Sequence, residues 1–205
     1  MLSVLEHPLA AHILTHLRDR TTKPPTFRAL AYQLTLMLAI DATRDLATEE
    51  KSVETPLEPT TGRVLAHQPI VVVAILRAGV SMVQPFLDVF PDVSVGYVGL
   101  ERDHVTAVAR NYYCKLPPLE GRRVFVVDPM LATGGSAAQA LDVVAAHGAR
   151  NPRLVCIIAA PEGVAEVGRR HPGVSVHVGV LDRALNARKY ILPGLGDFGD
   201  RLYGT

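Results

Sequence analysis

A chain of 205 residues with 48% hydrophobic content is enough for one well-buried domain and argues against a disordered one. Its formal charge of +1 excludes a broad basic footprint for nucleic acid, so a polyanionic ligand must be met by local arginines and backbone amides. Two cysteines, Cys114 and Cys156, exclude a disulfide framework, and no apolar run approaches membrane-spanning length, so no membrane partner is expected.

The chain begins Met-Leu-Ser-Val-Leu-Glu-His-Pro, without a basic stretch followed by an apolar one, and a cytoplasmic protein is expected. The first fifty residues read as helical. Leu9, Ile13, Leu14 and Leu17 recur at helical spacing, and a second pattern of Phe27, Leu30, Leu34 and Leu38 follows Pro24-Pro25 with Thr26 as N-cap. His12 and His16 stand at i,i+4 without the glutamate of a zinc-protease helix and read as surface residues. Residues 51–68, with their prolines, charges and Gly62, read as a loop or short hairpin.

From there short β-branched runs alternate with helical patterns. Strands are expected at 70–76, 93–100, 124–128, 154–159 and 174–180, and helices at about 80–89, 135–147 and 162–170. Nearly continuous apolar strands separated by helices predict an α/β fold, a parallel sheet with helices on both faces. The segment 101–122, with Tyr112-Tyr113 and Pro117-Pro118, reads as a long excursion or hairpin, a lid or an interface arm. The tail 182–205 is rich in Gly and Asp and reads as weakly structured.

The stretch 124–141 carries the strongest chemical signal. A β-branched run ends on Asp128, a loop closes on Thr133-Gly134-Gly135-Ser136, and an Ala-rich helix begins at once. Glycines let backbone N–H groups approach an anion and the helix N-terminus adds its dipole, so this order suits a sugar phosphate. Asp128 is placed to accept hydrogen bonds from two ribose hydroxyls. Arg77 and Gly79, just past the run 70–76, put a forked cation and an approachable backbone at the same edge of the sheet. Arg102 and Asp103 open the excursion, where an arginine on a mobile loop would clamp a leaving phosphate. Gly194, Gly196 and Gly199 fit G-x-G-x-x-G, but only six residues follow, so a dinucleotide site is rejected. With Asp197 and Asp200 the tail reads instead as a backbone-lined pocket for a planar base. No Walker lysine follows Gly135 and no G-x-S-x-G elbow is present.

Asp128–Ser136, DPMLATGGS, resembles the phosphoribosyl-diphosphate (PRPP) motif of type I phosphoribosyltransferases, in the form used by the uracil-specific branch. Ile75–Gly79, Ala159–Gly163, Pro193–Asp197, Gly199–Arg201 and Ala42–Glu49 are similar to the same branch, in the same order along the chain. The resemblance implies one domain, with a core at about 68–181, a hood from about 1–50 and 182–205, and a β-arm. It implies transfer of the phosphoribosyl group of PRPP to uracil, giving UMP. Arg77 and Arg102 would contact the diphosphate and Asp128 the ribose. Pro129, Met130, Leu131, Ala132, Thr133, Gly134, Gly135 and Ser136 would wrap the 5′-phosphate. Asp197 would lie by PRPP and its Mg²⁺, with no direct protein ligand to the metal assigned. Ile191, Gly196, Asp197 and Phe198 would read uracil, mainly through main-chain groups. A homodimer or higher homo-oligomer and GTP as activator are further expectations. Phe198 stands where bacterial members often have Ala, and the excursion departs from the family where a Tyr usually precedes the Arg. Three alternatives remain in view: a nucleotide-sensing regulator of the same fold that binds RNA, a transferase for another base, and a catalytically silent nucleotide-binding subunit.

Overall fold

Side-chain alternation sets the centre of the molecule. In the run Ile70–Leu76, Ile70, Val72 and Ala74 join one hydrophobic cluster while Val71, Val73 and Ile75 join another. A strand that is apolar on both sides has to be covered on both, which places it in a parallel sheet between helical layers. The computed structural model describes residues 1–102 and 109–205, and the side chains of 101–111 lie outside that description.

In chain order, β1 (Leu2–Val4), α1 (Pro8–Arg18) and α2 (Pro24–Ala42) come first. A hairpin of β2 (Thr48–Glu54) and β3 (Pro59–Leu65) leads to β4 (Ile70–Leu76). A 3-10 turn at Ala78–Met82 runs into α3 (Val83–Val89), followed by β5 (Ser94–Arg102) and β6 (Ala109–Lys115). Then come β7 (Arg123–Val127), β8 (Met130–Leu131), α4 (Gly135–Ala146), β9 (Arg153–Ala159), α5 (Pro161–Arg170) and β10 (Ser175–Leu181). The tail carries β11 (Ala184–Leu185), β12 (Ile191–Leu192) and α6 (Phe198–Tyr203).

The sheet runs β1-β10-β9-β7-β4-β5-β6. Every pairing along that path is parallel except β5 with β6. Buried residues of α1, α2 and α3 share one cluster with α6, and those of α4 and α5 share the other. After β4 the chain moves to β5 on one side, then returns to β7 on the other. The strand order therefore reverses between β4 and β7, and in such sheets the crevice outside the carboxyl ends at that point receives the ligand.

The five expected core strands and three expected helices are present, and 101–122 contains the antiparallel partner of β5. Four details differ. The first residues are not helical throughout: Leu2–Val4 adds a parallel edge strand to β10, because a short apolar run there finds an unpaired sheet edge. The cap of α2 is Lys23, with Pro24 at the first helical position, where its missing N–H costs nothing. Thr26 lies inside the first turn. Leu9 is 49% exposed and Ala10 takes its place in the core. The tail is ordered by two short strands and a helix rather than weakly structured.

The Ala42–Glu49 stretch has a structural task. The Asp45 carboxylate accepts a forked pair of bonds from Arg153 at 2.7 and 2.5 Å and lies 3.4 Å from Arg123. The bond from Arg153, with the positive charges of both arginines, holds the Asp45 carboxyl below the usual aspartate range. Arg153 also donates to the Ala42 carbonyl, which ties the end of α2 to the amino edge of the sheet. Among the described residues, no helix is long and apolar enough to cross a membrane.

Candidate active site

Arg77 follows β4 directly and Asp128 follows β7, so the two flank the point where strand order reverses. A close approach brings them together. A Cβ on Gly79 would lie 2.5 Å from the Val127 carbonyl oxygen, so only glycine lets the turn after β4 lie against the end of β7. The sequence suggested that Gly79 exposes backbone to a ligand. It is instead buried beneath the site, and its missing side chain serves protein packing.

The cleft above has a volume of about 690 Å³. Leu76, Arg77, Ala78 and Val80 line one side, and Asp128, Pro129 and Met130 line another. Asp197, Phe198, Gly199, Asp200, Tyr203 and Thr205 close it from the tail. Burial pushes the Asp128 carboxyl up to about 7, and the Met130 N–H, by favouring the carboxylate, opposes that rise.

The loop after Asp128 is stitched to the end of β9. The Pro129 carbonyl accepts from the N–H groups of Ile157 and Ile158, each at 3.1 Å, and the Leu131 carbonyl accepts from Ala160 at 2.9 Å. Residues 130–131 accordingly pair with β9 as a short strand. The chain then crosses the first turn of α5 at Gly163, where a Cβ would meet the Ala132 carbonyl oxygen at 2.5 Å. Gly134 has φ +82°, and its own Cβ would meet the Gly163 carbonyl at 2.8 Å. This mutual contact brings the chain into α4, whose first intrahelical bond is Ala138 N–H to the Gly134 carbonyl at 2.8 Å. The N–H groups of Gly135, Ser136 and Ala137 open the helix, where an anion is favoured. A Cβ on Gly135 would meet only Thr133 Oγ1, at 3.8 Å, so there is space over that turn. Replacing Gly163 with Val is expected to displace the 131–134 loop and to weaken binding of an anion at the opening turn of α4 roughly tenfold or more, because misplacement by about 1 Å is already costly. Titration with inorganic phosphate measures it.

Among the described residues the cleft walls stop at Met130 on this side, and Leu131, Ala132, Thr133, Gly134, Gly135 and Ser136 continue past them. Arg102 ends β5, but its side chain and residues 103–108 lie outside the described residues, so the expected clamp by Arg102 and Asp103 does too.

In the tail, Asp197 caps α6 by accepting the Asp200 N–H at 3.0 Å. Ile191 is buried in the core and pairs with Leu185 in the β11–β12 ladder. Gly196 has φ +81°, a conformation that favours glycine. Asp197 and Phe198 line the cleft, whereas Ile191 and Gly196 are not part of its lining. The Phe198 ring is 1% exposed and packs edge-on to Phe27 with centroids 5.2 Å apart, and the Arg201 guanidinium lies 4.5 Å from the Phe27 ring centre. A phenylalanine here is therefore accommodated by the hood core. Phe198→Ala is expected to cost roughly 3–5 kcal/mol, measured by urea denaturation.

Sequence reasoning missed Arg18, Arg28 and Asp182 and quoted Arg201 only as part of a motif, and these four tie the tail to α1 and α2. Arg28 donates to the Leu202 carbonyl at 2.8 Å. Arg201 donates to the carbonyls of Leu17, Leu195 and Asp19, the last two at 2.8 and 2.6 Å. Asp182 alone carried a readable signal, an acid just past an apolar strand, the pattern that singled out Asp128.

The family model described as uracil phosphoribosyltransferase matches residues 4–205. The uracil phosphoribosyltransferase of Finegoldia magna is 50% identical over 204 residues, covering 99% of this chain and 98% of that protein. A solved protein from Aquifex aeolicus superposes with a TM-score of 0.92 at 39% identity, covering 100% of this chain and 99% of the other. A hypoxanthine-guanine phosphoribosyltransferase from Bacillus anthracis, at 15% identity and TM-score 0.53 over 78% of this chain and 80% of its own, shares the fold.

Proposed function

This chain belongs to the uracil phosphoribosyltransferase family, and from that premise and the cleft's geometry we propose how it moves the phosphoribosyl group of PRPP to uracil, giving UMP and diphosphate. The observation that carries the proposal is that Arg77 and Asp128, on either side of the strand-order reversal, line one cleft together with residues of the C-terminal tail.

In the reaction the bond from the anomeric carbon to the diphosphate oxygen breaks, the bond to uracil N1 forms, and the N1 proton leaves to water or a phosphate oxygen. Positive charge gathers on the anomeric carbon as diphosphate departs. Arg77 neutralises the leaving group, and Arg102 is proposed to assist from the β5–β6 hairpin. Asp128 holds the ribose hydroxyls, which fixes the anomeric carbon relative to the base. The 5′-phosphate rests on the 130–136 loop and the opening turn of α4. Main-chain groups of Ile191, Gly196, Asp197 and Phe198 meet uracil. Uracil presents acceptor, donor and acceptor along one edge, and a cytosine amino group would leave a buried donor mispaired, which is costly.

The acids of the cleft, Asp128, Asp197 and Asp200, are oxygen donors of the kind Mg²⁺ prefers. The metal would be held chiefly by PRPP oxygens and water with Asp197 nearby, and would neutralise the diphosphate. A homo-oligomer is supported by the β2–β3 hairpin, whose strands are exposed along almost their whole length. A lone two-stranded hairpin is at best marginally stable, so a second subunit is its natural cover. Sedimentation velocity tests that, and initial rates with and without GTP test the activator.

The deciding experiment is PRPP-dependent product formation from uracil, cytosine, orotate, hypoxanthine and guanine. UMP alone is expected. Use of a purine or orotate in preference to uracil would overturn the base assignment. UMP-dependent gel-shift of leader RNA without turnover would favour the regulator.

A further inference from the structure

Backbone groups that read a base must be held still, and a segment with glycines at 194 and 196 does not stiffen itself. Gly194 has φ +67°, and a Cβ there would strike the Ile191 carbonyl at 2.2 Å, so glycine is obligatory and the restraint has to come from elsewhere. It comes from an ion pair between two distant parts of the chain. Asp182, 7% exposed, follows β10, and its Oδ2 accepts the Gly194 N–H at 2.8 Å. Arg18, the last residue of α1, donates to both Asp182 oxygens at 2.9 and 2.5 Å. The same guanidinium donates to the Gly194 carbonyl at 2.8 Å. One ion pair thus grips both polar groups of a single tail residue. The β11–β12 ladder lies between Asp182 and Gly194, so the grip closes the neck of that small hairpin. Asp197 and Phe198, in the cleft wall, follow within four residues.

We propose that Arg18 and Asp182 are positioning residues for base recognition, a clamp that sets the Ile191–Phe198 backbone against the edge of uracil. This rests on reading the cleft as the phosphoribosyl-transfer site. A buried ion pair is an inefficient way to gain stability alone, since apolar replacements often do as well, whereas a forked guanidinium–carboxylate contact fixes direction as well as distance. Arg201 holds the next carbonyl, Leu195, and ties it to the end of α1, so two consecutive tail carbonyls are pinned by guanidinium groups. Arg77, Asp128 and the 130–136 loop are positioned by β4, β7 and β9. Of the residues assigned to PRPP only Asp197 lies in the clamped segment, and its cap of α6 fixes it independently, so the clamp acts chiefly on the base.

The test compares wild type with Arg18→Ala, Arg18→Lys and Asp182→Asn, reading the KM for uracil and for PRPP separately, together with the thermal midpoint. The KM for uracil is expected to rise roughly tenfold or more in each variant, with the KM for PRPP within about twofold of wild type, because misalignment falls chiefly on the base while Asp197 keeps its α6 cap. Arg18 is partly open to solvent, so millimolar methylguanidinium is expected to lower the KM for uracil of Arg18→Ala and to leave wild type unchanged. Should Arg18→Ala fail to fold, Arg18→Lys, which keeps the charge and loses the fork, carries the same expectation. Both KM values rising in parallel, or neither moving, would overturn the clamp while leaving the reaction in place. Wild-type protein that forms no UMP would overturn the reaction itself, and the clamp with it.

Discussion

Asp128→Asn is expected to remove most turnover and at the same time stabilise the unliganded protein. A hydrogen bond to a charged acceptor contributes about 1.5–3 kcal/mol, and Asp128 is assigned two from the ribose, so kcat/KM should fall roughly 100-fold or more. The stability change has the opposite sign. The Asp128 carboxyl is raised by burial to about 7 in the folded protein, from an ordinary value of 3.8. Below 3.8 it is protonated in both folded and unfolded chains and costs nothing. Between 3.8 and about 7 the unfolded chain ionises while the folded one resists, so wild type loses stability as pH rises, and the loss is complete above about 7. Asparagine has no such penalty. The variant's advantage should grow across that window and level off above it, at up to about a few kcal/mol by linkage. Thermal midpoints of both proteins from pH 4 to 8.5 measure it. A constant difference across pH would remove the raised carboxyl. The same group predicts an acid limb in wild-type kcat/KM, falling about tenfold per unit below pH 7 if the ionised carboxylate binds PRPP.

Arg77→Ala is the second large effect. Its guanidinium lines the cleft at the end of β4, and it is assigned the developing charge of the departing diphosphate. Removing one preorganised donor to such a charge typically lowers kcat by about 10²–10³. Lysine keeps the charge but loses the planar fork, so Arg77→Lys should recover only part of the loss. The thermal midpoint of either variant should stay close to wild type, because the side chain faces the cleft. Single-turnover UMP formation separates this effect from product release, and an Arg77→Ala enzyme with unchanged turnover would take the residue out of the reaction.

The contrast between these two residues and the clamp shows how far sequence alone reaches. Arg77 and Asp128 are legible because each stands just past an uninterrupted apolar strand, and the order of strands and helices puts such positions on one edge of the sheet. Arg18 and Asp182 are separated by most of the chain, and nothing local to α1 signals that its last residue will meet the end of β10. Gly79 and Gly163 are visible as glycines, but their reason is the nearness of the Val127 and Ala132 carbonyls, which only packing reveals. Phe198 is similar. Its ring turns to Phe27 because α2 and α6 meet there, so a residue read as lining the base site is in its side chain part of the hood core.

By itself the order of residues determined the parallel sheet, its two helical layers and the place of the glycine loop after β7, since periodicity, branching and glycine placement act over a few residues at a time. Tertiary structure alone decided which strands are neighbours across the reversal, which glycines are buried contacts, and which ion pair closes the neck of the tail. Those choices depend on steric fit and desolvation between segments far apart in the chain, and such terms come into being only once the layers have met.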